Sequence, residues 1–171
     1  YKAADYVTKN GLLSGDKAYT FGASKALTRA QVAQALYNLA GQPKTELTDS
    51  FSDVPVTHQA RTAIAWAEKT GIMEGVGGGK FSPDRSVTRQ EAAAMLDRLY
   101  TTLGGKASAA NDKPYADDAQ LGDWARSSVY AMREIGIMQG KENNRFRPKD
   151  GYTQEQAVVT VERAFQAVKQ H

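Results

Sequence analysis

The sequence predicts an all-α chain built of three helix-loop-helix repeats. Three observations carry that prediction. Apolar residues recur at helical spacing, and no strand-length alternation of period two stands out. Three threonines open stretches that read as helix capping boxes. Three segments of the 171-residue chain also share the same internal offsets. Gly71-Ile72-Met73-Glu74-Gly75 returns as Gly136-Ile137-Met138-Gln139-Gly140 and, more loosely, as Gly11-Leu12-Leu13-Ser14-Gly15. From each first glycine an aromatic follows after 10 residues (Phe21, Phe81, Phe146) and a threonine after 17 (Thr28, Thr88, Thr153). The repeat interval is 60 residues and then 65, with the surplus in polar linkers bearing Gly and Pro. The expected repeats are residues 1–41, 51–103 and 115–169, together one module.

The first helix of each repeat is marked by Ala3, Ala4 and Val7 in repeat one. Ala60, Ala63, Ile64 and Ala67, with Trp66 beside them, mark it in repeat two, and Ala125, Val129 and Met132 in repeat three. Gly11, Gly71 and Gly136 sit where a left-handed residue would end that helix. A glycine-bearing turn follows, and then the second helix. Its start reads Thr28-Arg29-Ala30-Gln31, Thr88-Arg89-Gln90-Glu91 and Thr153-Gln154-Glu155-Gln156, in each case a capping box. The apolar face runs through Val32, Ala35, Leu36 and Leu39, through Ala92, Met95, Leu96 and Leu99, and through Ala157, Thr160, Val161 and Ala164. It is weakest in repeat three. Phe21, Phe81 and Phe146 read as core. Repeats two and three open with Phe51-Ser52-Asp53-Val54 and Tyr115-Ala116-Asp117-Asp118. Repeat one has no such opening, because Tyr1 already falls inside its first helix.

Composition excludes several function classes. Hydrophobic residues at 41% and charged residues at 24% are those of a globular chain rather than a disordered one. No apolar run reaches bilayer length, so membrane insertion is not expected. Zero cysteines exclude a disulfide framework and a thiolate nucleophile, and two histidines leave little for a metal site or a triad. The net charge of +3 suits an anionic partner, but the basic residues are scattered and form no nucleic-acid stripe. Gly75 to Lys80 is not a phosphate loop, since Phe81 stands where Ser or Thr is needed. No cofactor is expected. The absence of an initiator methionine or leader suggests a chain processed or cut from something larger.

Phe51-x-Asp53-Val54, Gly71-Ile72-Met73-x-Gly75, Phe81-Ser82-Pro83-Asp84 and Val87-Thr88-Arg89-Gln90-Glu91 together resemble a surface-layer homology (SLH) repeat. Repeat one carries the signature as Leu27-Thr28-Arg29-Ala30-Gln31, and Tyr152-Thr153-Gln154-Glu155-Gln156 is the divergent copy. The resemblance implies a pseudo-threefold module, with a central bundle and grooves between neighbouring repeats. It also implies a function without catalysis. An exported protein would be anchored at the bacterial cell surface by binding an anionic secondary cell-wall polymer, through a pyruvylated N-acetylmannosamine unit. The larger parent protein would carry the cargo.

An acidic ketal on a sugar calls for a carboxylate clamp and a flat apolar surface. Arg29 and Arg89 follow the capping threonines and offer a guanidinium fork beside free helix amides. Read from the residues alone, each is either such a clamp or a solvated surface arginine, contributing little to stability. Gln154 holds the same place in repeat three without the charge, so its groove should be weak. Gly15, Gly75, Gly77 and Gly140 either present bare amides to a ligand or form turns needing positive φ. Asp53 and Asp117 either cap a first helix or accept sugar hydroxyls. Trp66 is either a plate under a sugar ring or a core residue. Two other anchoring or assembly roles fit the same pattern, binding of modified peptidoglycan and binding of another envelope protein. Glycoside hydrolysis would need two carboxylates facing across a cleft, which adjacent Asp117 and Asp118 do not supply.

Overall fold

The computed structural model describes residues 25–109 and 113–170. Five α-helices are present among them: α1 (Arg29–Leu39), α2 (Arg61–Lys69), α3 (Arg89–Thr102), α4 (Asp123–Glu134) and α5 (Gln154–Lys169). Short 3₁₀ turns cover Asp118–Gln120 and Glu142–Asn144. Extended pairing among the described residues is confined to isolated bridges, so the fold is all-α as predicted. The first helix expected for repeat one, with Gly11, Gly15 and Phe21, lies outside the described residues.

Helices α1, α3 and α5 start at the three threonines. Thr28, Thr88 and Thr153 are extended N-caps whose hydroxyls accept from the amides of Gln31, Glu91 and Gln156 at 3.2, 3.3 and 3.2 Å. The return arm of the box forms twice, from Thr28 N to Gln31 Oε1 at 2.9 Å and from Thr88 N to Glu91 Oε1 at 3.0 Å. In α5 it does not form. The third predicted box is therefore half a box, because the Gln156 side chain has gone elsewhere. At the other end of the first helices, Gly71 and Gly136 follow the C-caps of α2 and α4 at φ +77° and +78°. A side chain there would be strained, as the spacing predicts.

The three repeats are tied at their centre by a closed cycle of main-chain hydrogen bonds. Leu27 N donates to Tyr152 O at 2.9 Å, Tyr152 N to Val87 O at 2.8 Å, and Val87 N to Leu27 O at 2.9 Å. One residue from each repeat thus both donates and accepts, the threefold relation expressed in backbone. A second set surrounds it. The first helical amide of each central helix is satisfied by a turn of the following repeat: Arg29 N by Arg85 O (2.9 Å), Arg89 N by Asp150 O (2.9 Å) and Gln154 N by Lys25 O (3.2 Å). Amides that an isolated helix leaves to water become joints between repeats.

Under this cycle the inner faces of α1, α3 and α5 meet through Val32, Leu36, Leu96, Ala157 and Val161, all buried. Helix α2 packs on α1, and α4 on α3. Thr160, the polar break in the α5 stripe, is buried but satisfied, since its hydroxyl donates to Gln156 O at 3.0 Å and meets the Tyr152 hydroxyl. Phe81 and Phe146 are fully buried, as predicted, each against the aromatic that opens its repeat: Phe51 at 5.3 Å and Tyr115 at 5.5 Å between ring centroids.

Candidate functional site

Arg29 and Arg89 are neither solvated nor confined to their own repeats. They are 5% and 3% exposed. Each guanidinium crosses into the next repeat and binds main-chain oxygens of its loop. Arg29 Nε donates to Phe81 O at 2.9 Å and Nη2 to Glu74 O at 2.5 Å. Arg89 Nε donates to Phe146 O at 2.8 Å, Nη2 to Gln139 O at 2.9 Å, and Nη1 to the Gln156 side chain at 2.9 Å. Both stack on the aromatic they bind, at 4.5 Å over Phe81 and 4.7 Å over Phe146. The expectation that these arginines contribute little to stability is corrected by this geometry. A guanidinium at the first helical position can leave its own helix and staple its neighbour, because the repeat beside it presents carbonyls at the right height.

Two grooves open beside these staples. The Arg29 groove, about 310 Å³, runs between repeats one and two along Met73, Glu74, Gly75 and Val76, with Arg85 and Arg98 on its wall. The Arg89 groove, about 530 Å³, is its counterpart between repeats two and three, along Met138, Gln139, Gly140 and Lys141, with Arg163 on its wall. Both fall in the range of small-ligand sites, roughly 300–1,000 Å³. Burial, followed by the neighbouring Arg85, holds the Arg29 guanidinium below its ordinary pKa, and burial does the same for Arg89. An arginine keeps its charge under these conditions, so each groove has a poorly solvated cation that an incoming anion would offset.

The other predicted site residues distribute unevenly. Gly75 and Gly140 lie in the two grooves, but neither has positive φ. What excludes a side chain there is contact: a Cβ would stand 2.6 Å from the Phe51 ring at Gly75, and 2.5 Å from the Tyr115 ring at Gly140. Gly77 is a turn glycine at φ +101° and lines neither groove. Gly15 lies outside the described residues, so the groove beside Gln154 (itself buried) is not described.

Asp53 and Asp117 lie behind the grooves. Asp53 accepts the amides of Phe81 and Ser82 at 2.9 and 2.8 Å, and Asp117 those of Phe146 and Arg147 at 2.9 and 2.8 Å. Each pins the loop whose carbonyl its arginine staple grips. For Asp53, desolvation works upward, but the Phe81 and Ser82 amides outweigh it and hold the carboxyl below its usual pKa. Neither aspartate caps its first helix, which begins instead after Ala60 or Gly122. Trp66 is buried between α1 and α2, 5.5 Å from the Tyr37 ring, where a sugar cannot reach it.

The aromatic that does face a groove is Trp124, in the first turn of α4 and 57% exposed. Its indole folds back over Gly122 and edges the Arg29 groove, so that groove draws on all three repeats. The sequence held no discriminating signal for it. Trp124 stands one step off the apolar stripe of Ala125, Val129 and Met132, but the buried Trp66 stands equally far off the stripe of Ala63, Ile64 and Ala67.

Comparison with known proteins follows the same division of the chain. The family model of the S-layer homology domain matches residues 1–33, 50–93 and 114–158. The chain is 32% identical over 139 residues to an amylopullulanase of Thermoanaerobacterium thermosulfurigenes, covering 81% of this chain and 7% of that protein. It is 29% identical over 143 residues to a surface-layer 125 kDa protein of Lysinibacillus sphaericus (84% and 12%). It is 25% identical over 158 residues to a cellulosome-anchoring protein of Acetivibrio thermocellus (90% and 35%). The chain thus spans only a small part of the length of these relatives.

Proposed function

The chain belongs to the S-layer homology domain family, and from that premise we propose that it is a non-catalytic anchoring module for the bacterial cell wall. Its ligand is an anionic secondary wall polymer, held in the grooves between repeats through a pyruvylated N-acetylmannosamine unit. The observation that carries this reading is the pair of buried guanidinia, Arg29 and Arg89, each at the edge of a groove built by two repeats. A carboxylate is the ligand group that answers an under-solvated fork, and a sugar ring is the flat body that suits the exposed Trp124 indole. Relatives named for the surface layer and for cellulosome anchoring support a location at the cell surface. The enzyme among them is far longer than its region of similarity to this chain, which supports a role as the anchoring part of a larger protein.

Asp117 and Asp118 support the absence of catalysis. Asp117 is committed to two loop amides, while Asp118 accepts the Tyr130 hydroxyl at 2.6 Å and pairs with Arg126 at 3.4 Å. Both carboxylates are thus held by structural partners, whereas glycoside hydrolysis requires two that face each other across a cleft.

The test is co-sedimentation of the chain with intact wall sacculi, with sacculi stripped of secondary polymer, and with the purified polymer. Binding to the first and third alone supports the proposal. Undiminished binding to stripped sacculi points instead to peptidoglycan or a wall protein.

A further inference from the structure

The two grooves share a frame and differ at one decisive side chain. The two arginines are 60 residues apart and the wall positions 65, which pairs Glu91 of the Arg29 groove with Gln156 of the Arg89 groove. Glu91 turns back to its own helix start. Its Oε1 accepts from Thr88 N at 3.0 Å and from the Thr88 hydroxyl at 2.9 Å, and its Oε2 from Arg85 at 3.0 Å. Arg29 therefore uses Nε and Nη2 on main-chain carbonyls, and its Nη1 has no acceptor among the described residues. The end of the fork that a carboxylate grips is open.

Gln156 does the opposite. It leaves Thr153 N and places Oε1 on Arg89 Nη1, so all three nitrogens of Arg89 are engaged. The remaining charges do not separate the grooves, since each is lined by three basic and two acidic side chains, the acids being Glu74 and Glu91 beside Arg29 and Glu142 and Glu155 beside Arg89. Lys141, where the Arg29 groove has Val76, is drawn toward Asp150 at 3.9 Å. On the other side, the Arg29 groove has the indole of Trp124.

We propose that Gln156 is a specificity-determining residue that shields Arg89 from a ligand carboxylate and leaves the Arg29 groove as the acid-reading seat of the chain. This rests on the glycan-binding reading above and deepens it. A carboxylate entering the Arg89 groove must first displace the Gln156 oxygen, a charged hydrogen bond whose loss weakens binding by about tenfold. The displaced side chain has somewhere to go, since closing the capping box on Thr153 is the arrangement Gln31 already makes on Thr28. The shield is therefore removable, and the difference between grooves is one of affinity.

The experiment is a residue-resolved titration by amide NMR of the whole chain, with the methyl glycoside of pyruvylated N-acetylmannosamine as probe. The Gly75 amide reports the Arg29 groove and the Gly140 amide the Arg89 groove. In the unmodified chain the Kd read at Gly75 should be about tenfold lower than that at Gly140. Gln156→Ala, at a half-buried position that leaves the Thr153 cap intact, should lower the Kd at Gly140 by about tenfold and leave Gly75 unchanged. Equal Kd values at the two amides, or a Gly140 value indifferent to Gln156→Ala, would overturn the inference while leaving glycan binding standing. No response at either amide, in a chain whose spectrum shows it folded, would defeat the glycan reading and this inference with it.

Discussion

Arg89 donates from Nε to the carbonyl of Phe146, 57 residues further along the chain, and its guanidinium lies over the ring of that same residue. One side chain therefore grips the main chain of the next repeat and roofs its core aromatic. Arg29 and Phe81 repeat the relationship between repeats one and two. An arginine whose place in a motif suggests ligand binding is at the same time the fastener that shapes the groove.

Arg89→Ala should accordingly destabilise the fold by roughly 2–4 kcal/mol, because it strands buried carbonyls and empties the space above Phe146. Arg89→Lys should recover less than half of that, since lysine cannot span two carbonyls while stacking. Urea denaturation followed by circular dichroism measures both. A loss below about 0.5 kcal/mol for the alanine variant would mean the staple is idle.

Gly75→Ala should cost about 1–3 kcal/mol, as overpacking does. The added methyl would meet the Phe51 ring at 2.6 Å and Lys80 O at 3.0 Å, one of which must move. The paired change Gly75→Ala with Phe51→Leu should restore part of the loss. Thermal melts of the single and double variants check this, and a neutral single substitution would show that the ring is free to withdraw.

Tyr152 is fully buried at the threefold centre, and burial pushes its hydroxyl from 10.0 up to about 12. The folded state thus favours the neutral phenol more than the unfolded chain does. The contribution is complete below pH 10 and is lost as pH rises toward 12, a change of about 2–3 kcal/mol. Tyr152→Phe should flatten that alkaline fall relative to the parent in denaturation experiments between pH 9 and 12. An unchanged slope would assign the alkaline loss to other groups.

The chain has two tryptophans, Trp66 in repeat two and Trp124 in repeat three. If the Leu27, Tyr152 and Val87 cycle makes the repeats one cooperative unit, Trp66→Phe and Trp124→Phe should each report, through the remaining indole, the same urea midpoint as helix loss. Separate midpoints would mean that the repeats unfold one by one.

Much of this was legible in the sequence, and the limits have physical reasons. The capping threonines, the C-terminal glycines and the buried Phe81 and Phe146 follow from local chemistry, which acts within a few residues. The fates of Arg29 and Arg89 do not, because their partners lie in another repeat and burial at the first helical position depends on a neighbour. Gly75 and Gly140 resembled turn glycines because a close ring contact and a positive φ leave the same residue type behind. Trp66 and Trp124 were not separable by pattern, because each stands one step off the apolar stripe of its helix and only the neighbouring helix decides which is covered. Gln156 was not: the motif shows that it can close a capping box, and only the approach of Arg89 shows why it does not.

Whether the chain reads an acid on a wall glycan is settled most directly by calorimetric titration with purified secondary wall polymer, before and after its pyruvyl ketals are removed. Recognition through the Arg29 fork predicts at least about tenfold tighter binding of the pyruvylated polymer, consistent with a charged hydrogen-bonded pair. That preference should narrow as salt is raised from about 0.05 to 0.5 M, as charges screen. Equal affinity for the two polymers at low salt would contradict it.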